Sequence, residues 1–382
     1  MSDFAADSVA IIGVGTTPFA SLYRERDAQR SPYDLAKAAF VEALDDAGIE
    51  RDAVDGLLTA RLPSYNRMAD MLGIRRPRFC NGFDGSGRMS AVTIQVAAMA
   101  IQSGLASTVA CVYGNNGRSG GATYGGEEPA SPTGRYDAAY GMTSPGAYVA
   151  LMYQRYIDQY GVPDGALAPL AINNRNNAKL NPNAVMQADI DEDEYLRSRF
   201  IAEPLRLYDY CLINDGGVAL ILTSTERAKR LGKPVVTLSA TATCGDLTNF
   251  YTSDDFFYES CHDVAGRLYA DAGVKPADIR CAQIYDNFTP TILFSLEGFG
   301  FCEKGSAWQW IRDGRLGAVD GLALNTSGGH TSESYMQGWA LHVEAVRQLR
   351  GEAGARQVPD CELVQYICAA PITNAHIMRR VA

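Results

Sequence analysis

Histidine and tryptophan are scarce in this 382-residue chain, four and three respectively, so few imidazoles are available for acid–base or metal chemistry. Basic clusters are also lacking. The formal charge is -10, and without a basic stripe a nucleic-acid partner is excluded. No apolar run approaches the ~20 residues of a membrane span. The acidic first residues, Met1 to Asp7, carry neither a basic start nor an apolar stretch, so they do not read as a signal peptide. The nine cysteines show no CxxC and no metal spacing, which predicts no metal site and free thiols in a reducing cytoplasm. Gly13-Val14-Gly15 lacks the third glycine of a dinucleotide fingerprint.

What is present is a chain that contains itself twice. Val9–Gly15 (VAIIGVG) reads as a buried strand. Ser31 and Pro32 then cap and open a helix that Gly48 ends, and a strand follows near Gly56 to Thr59. The second copy has a strand at Pro234 to Ser239, a helix from about Asp255 to Ala272 stopped by Gly273, and a strand at Cys281 to Tyr285. Each copy continues with a Gly/Ser-rich turn, a long helix and a strand. These fall at Gly82–Gly87, Arg88–Ser103 and Thr108–Tyr113, then at Ser327–Gly329, Ser332–Leu349 and Glu362–Cys368. The expectation is an α/β protein of two duplicated halves in a layered α-β-α-β-α arrangement. Residues 1–114 with 211–233 would form the first half and 234–382 the second. The stretch 115–210, too long for a simple connection, would be an insertion with helices at about Pro145–Gln159 and Asp191–Arg197.

Three turns are candidates for chemistry. The first, Asn81–Gly87 (NGFDGSG), precedes a helix, so the backbone N–H groups at Gly85, Ser86 and Gly87 would make an oxyanion or phosphate cradle, or only a tight turn. The second, Ile284–Pro290 (IYDNFTP), ends a strand, where polar side chains commonly face a ligand crevice. There Asp286 and Asn287 are expected to cap the next helix, which leaves Tyr285 for chemistry. The third is Leu324–Tyr335 (LNTSGGHTSESY), in which Gly328 and Gly329 permit close backbone approach and His330, Glu333 and Tyr335 follow. Of the four histidines, His330 has the most informative context; His262 and His342 read as structural or exposed, and His376 as either.

Several stretches together resemble the thiolase superfamily, in particular its lipid-transfer, sterol-carrier-protein-type branch. They are Ala10–Gly15 with Phe19, Asn214–Ala219 (NDGGVA), Tyr285–Phe288, Leu324–Gly329 and the distinctive Gln348–Gln357 (QLRGEAGARQ). The resemblance covers nearly the whole chain, and the departures from it carry information. The family's nucleophilic cysteine would fall at about Gly87, with Ser86 beside it. Tyr335 stands where the family has its catalytic histidine, and Cys368–Pro371 (CAAP) has lost the glycines of the C-terminal cysteine motif. An acyl-enzyme needs a thiolate and a nearby base, and neither is in place.

This pattern, together with Tyr140–Tyr148 (YGMTSPGAY), resembles the aldolases that shorten steroid side chains. The resemblance implies retro-aldol cleavage of a β-hydroxyacyl-CoA, with Tyr285 and Tyr335 as catalytic residues and no cofactor beyond the coenzyme A carried by the substrate. It further implies a homodimer joined by a small OB-fold/zinc-ribbon partner into a heterotetramer. His330 would support the tyrosines. Gly85, Ser86, Gly87, Gly328, Gly329, Asn287 and His376 would hold the oxyanion or the CoA. Two alternatives stand beside it: a condensing or acyl-transfer enzyme using Cys80 or Cys368, and a non-catalytic acyl-CoA or lipid carrier.

Overall fold

The first apolar run becomes strand β1 (Val9–Thr16), buried along its whole length. In this computed structural model, which describes residues 4–83, 89–123, 137–246 and 255–381, it lies at the centre of a ten-stranded sheet. The first half supplies β2 (Gly56–Ala60), β3 (Phe79–Phe83), β4 (Thr108–Asn116) and β5 (Asp215–Ser224). The second supplies β6 (Val235–Gly245), β7 (Cys281–Ile284), β8 (Ala323–Leu324), β9 (Leu363–Cys368) and β10 (Ile372–Val381). The order is β8-β7-β9-β10-β6-β1-β5-β4-β2-β3.

That order is one motif used twice. β2 runs parallel to β3 and β4, and β5 pairs antiparallel with β4 and β1. β7 likewise runs parallel to β8 and β9, and β10 pairs antiparallel with β9 and β6. A short antiparallel contact, Ala10 opposite Thr237 and Ile11 opposite Val236, joins the halves at β1 and β6.

Helices complete the layers. On the outer face of the first half lies α1 (Pro32–Ala47), opened by a Ser31–Asp34 capping box and closed by Gly48 at φ 66°. It can settle closely on β1 because a Cβ on Gly15 would stand 2.1 Å from the Ala39 carbonyl oxygen. α2 (Met89–Gln102) and α7 (Trp339–Arg350) contribute to a single core that includes residues of both halves' strands. α5 (Tyr258–Ala272) and α6 (Pro290–Gly298) pack on the other side of the second half. Three cores result: one beneath α1, one beneath α5 and α6, and a shared one around α2 and α7 that takes in strands of both halves.

Between β4 and β5 the chain forms α3 (Pro145–Tyr160), α4 (Ala168–Lys179), a short helix Glu192–Arg197 and a two-stranded ribbon. α3 and the short helix fall where expected; α4 was not foreseen. One further expectation needs correcting. The last long helix begins at Trp339 rather than Ser332, and Gly329–Glu333 instead form a π-helical turn. The distinctive Gln348–Gln357 run closes α7: Arg356 grips the buried Glu344 carboxylate at 3.0 Å, and Gln348 and Gln357 bond the backbone around it.

Candidate active site

Strand β7 ends at Ile284, and the next residue projects its ring into the shared core. The π-helical turn brings a second ring to it. Tyr285 Oη and Tyr335 Oη stand 3.0 Å apart, hydrogen-bond distance. Tyr285 is buried, whereas Tyr335 is only half-buried. Burial, and secondarily the Tyr335 hydroxyl, push the Tyr285 phenol well above its usual range, so Tyr285 stays protonated and can donate.

His330 braces both rings. Its imidazole meets Tyr285 edge-on at 4.7 Å between centroids and Tyr335 at 5.2 Å. One ring nitrogen is engaged in a hydrogen bond. Nε2 accepts the Gly338 N–H at 2.9 Å, which leaves the proton on Nδ1. Nδ1 lies 3.0 Å from Asp286 Oδ1 but off the line of a hydrogen bond. His330 is fully buried.

Asp286 is the residue that sequence reasoning misassigned. It does not cap α6, whose preceding residue, Thr289, makes no side-chain cap bond. Its Oδ1 instead accepts the His330 N–H at 2.9 Å, and its Oδ2 accepts from Asn174 Nδ2 at 2.7 Å. The partners lie 44 and 112 residues away, beyond the reach of local cap rules. Asn287 folds back locally: its Oδ1 accepts from Phe288 N–H, and its carbonyl from Cys211 N–H.

The expected oxyanion glycines divide. Gly85, Ser86 and Gly87 lie outside the described residues. The Gly328 N–H is already spent on the Asn325 carbonyl at 2.8 Å, so it is not a spare donor. At Gly329, φ is 60° and a Cβ would fall 2.4 Å from Asp286 Oδ2, so glycine there makes room for the carboxylate. His376 joins a different cluster: its Nε2 donates to the Ala91 carbonyl, and its ring meets His342 and Tyr366. Burial depresses its pKa to about 4, which keeps the ring neutral.

The cysteine alternatives fare unequally. Cys80 packs against the outer core of the first half, away from the tyrosines, and burial raises its thiol pKa. Cys368 is buried in the shared core next to Tyr285, whose pKa it helps to raise. A cavity of about 620 Å³ opens beside the π-helical turn, lined by Thr331, Cys211, Leu212, Arg175, Met186 and Tyr208 among others. A larger one of about 880 Å³, between α2 and α5, touches none of the candidate site residues. Among the described residues no cluster of three His, Cys, Asp or Glu side chains could hold a metal, and no helix is long and apolar enough to cross a membrane.

Fold and site define a thiolase-type chain with a tyrosine pair in its centre. The thiolase N-terminal domain family matches residues 9–226 and the thiolase C-terminal domain-like family matches residues 243–373, so the chain belongs to the thiolases. It is similar to a steroid side-chain-cleaving aldolase of Thermomonospora curvata, at 36% identity over 90% of each chain. A 17-hydroxy-3-oxo-4-pregnene-20-carboxyl-CoA lyase of Mycobacterium tuberculosis is 35% identical over 90% of this chain and 91% of its own. The solved Ltp2-ChsH2(DUF35) aldolase superposes with a TM-score of 0.89 at 32% identity, over 99% of both chains.

Proposed function

We propose that this protein is an aldolase that cleaves a β-hydroxyacyl-CoA thioester by the retro-aldol route, with a steroid side-chain CoA ester as substrate. The observation that carries the reading is the 3.0 Å contact between Tyr285 and Tyr335 in a site where the family's acyl-enzyme machinery is absent. Tyr335, the half-buried member, is the base that meets the substrate hydroxyl. Tyr285, protonated, donates to the Tyr335 oxygen and stabilises the phenolate form in which Tyr335 acts as base. A phenol with an ordinary pKa near ~10 is a weak donor of its lone pair at neutral pH, so such help is needed.

The step balances without a covalent intermediate. Tyr335, as its phenolate, takes the proton from the β-hydroxyl, the C–O bond becomes a carbonyl, and the Cα–Cβ bond breaks with its electrons passing to the thioester as an enolate. The enolate carbon then takes up the proton that Tyr335 carries. The products are a ketone or aldehyde and a shortened acyl-CoA, such as propionyl-CoA. His330, held by Asp286 and Gly338, keeps the two rings in register.

The reading includes a homodimer of this chain working in the cytoplasm with a small OB-fold/zinc-ribbon partner. The two-component aldolase that superposes on it supports the partner. Coenzyme A enters only as part of the substrate. The test is to co-express the chain with such a partner and supply a 17-hydroxy steroid 20-carboxyl-CoA ester, following products by mass spectrometry. Ketosteroid and shortened acyl-CoA in equal amounts are expected. Free CoA with an intact carboxylic acid, or acyl transfer to a second CoA ester, would overturn the proposal.

A further inference from the structure

Helix α4 comes from the insertion, yet it grips the turn that carries His330 and Tyr335. Asn173 and Asn177 donate to the Leu324 carbonyl at 3.1 and 2.8 Å. Asn181, just past the helix, donates to the Ser327 carbonyl and to Glu333 Oε1. These bonds fix the path of the loop and the seat of Glu333.

Asn174 does something else. It is completely buried, and its amide nitrogen donates to two side chains of the site, Asp286 Oδ2 at 2.7 Å and Thr331 Oγ1 at 2.9 Å. A carboxylate only accepts, so the nitrogen and not the amide oxygen must face Asp286. The oxygen accepts from Asn173 Nδ2 at 3.3 Å, which satisfies the other end. Asp286 is thus held between Asn174 on one oxygen and His330 on the other.

We infer that Asn174 is a positioning residue for the reaction: it fixes the Asp286 carboxylate, through it the His330 ring, and through that ring the Tyr285–Tyr335 pair. This rests on the retro-aldol reading above. The terminal torsion of an aspartate is broad, so a carboxylate without its second anchor can turn away from the His330 ring. The imidazole would then lose the fixed edge contacts at 4.7 and 5.2 Å that set the tyrosine rings. Small misplacements of reacting groups cost rate steeply, on the order of 100-fold for about 1 Å.

The test compares Asn174→Ala and Asn174→Asp with Asn177→Ala, a neighbour on the same helix that bonds only the loop backbone, at the Leu324 and Asn325 carbonyls. All are assayed as the complex with the partner, with kcat, KM and Tm recorded. Asn174→Ala is expected to lower kcat roughly 10- to 100-fold with KM within about 2-fold, and Asn174→Asp to lower it further, because it sets a carboxylate against Asp286. Asn177→Ala should keep kcat within about 3-fold. Should Asn174→Ala fail to fold, Asn174→Leu, which keeps the volume and removes both hydrogen-bonding ends, carries the same comparison. An unchanged kcat in Asn174→Ala, a rise in KM alone, or an equal kcat loss in Asn177→Ala would overturn the positioning role. A wild-type complex that cleaves no β-hydroxyacyl-CoA would refute the aldolase reading itself, a separate outcome.

Discussion

Fifty positions apart in sequence, Tyr285 and Tyr335 bring their hydroxyl oxygens to 3.0 Å. One sits at the carboxyl end of a strand, the other just past a π-helical turn, and each meets the His330 ring edge-on. That arrangement puts two hydroxyls in hydrogen-bond contact beside a buried imidazole.

The turn itself titrates. Glu333 is fully buried, and burial, followed by the neighbouring Glu344 carboxylate, raises its pKa from 4.5 to about 7. A carboxyl whose folded pKa is raised stabilises the fold below its unfolded pKa and loses that contribution as pH rises through the folded value. Wild-type stability should therefore decline between about pH 4.5 and 7 on this account, by an amount on the order of 3 kcal/mol. Glu333→Gln retains an acceptor for Asn181 and removes the ionisation. Chemical denaturation from pH 5 to 8 should show a flatter profile in the variant; parallel profiles would contradict the assignment.

Gly329 is where the site leaves no room for a side chain. Gly329→Ala would drive a methyl into Asp286 Oδ2 at a backbone φ of 60°. The expected cost is about 1–3 kcal/mol of stability, seen as a lower Tm, with a loss of kcat because Asp286 must move. A variant with wild-type Tm and kcat would show that the turn yields easily.

Arg356 and Glu344 form a buried pair, with two guanidinium nitrogens on the carboxylate between 3.0 and 3.1 Å. Removing one partner of such a pair leaves a buried charge uncompensated, typically at about 3–5 kcal/mol. Arg356→Ala should unfold at markedly lower urea concentration, while Arg356→Lys recovers part of the loss. A change below about 0.5 kcal/mol would place the pair in the same class as surface ion pairs.

Much of the fold was legible because helix and strand periods are local. Leu35, Ala39, Phe40 and Ala43 repeat on one face of α1, and glycines end α1 and α5 at equivalent points. α4 escaped notice for the opposite reason. Its core face includes Asn174, buried by hydrogen bonds to residues more than a hundred positions away, so no apolar period betrays it. The long helix expected from Ser332 fails at Gln337 and Gly338, both at positive φ, where the Gly338 N–H turns to His330 Nε2. Asp286 looked like a cap because a cap needs only its neighbours. Its actual partners, Asn174 and His330, are tertiary. The structure brings together the two tyrosines and His330 that the sequence singles out, whereas Asn174, joined to them through Asp286, carries no local signal.

The most direct test of the tyrosine pair is a double-mutant cycle on cleavage by the partnered enzyme, comparing Tyr285→Phe, Tyr335→Phe and the double variant. If Tyr285 acts only through the Tyr335 oxygen, Tyr335→Phe should lower kcat by about 100- to 10,000-fold. Adding Tyr285→Phe should then change it little. Losses that multiply independently, or a Tyr335→Phe enzyme that cleaves at the wild-type rate, would contradict the account.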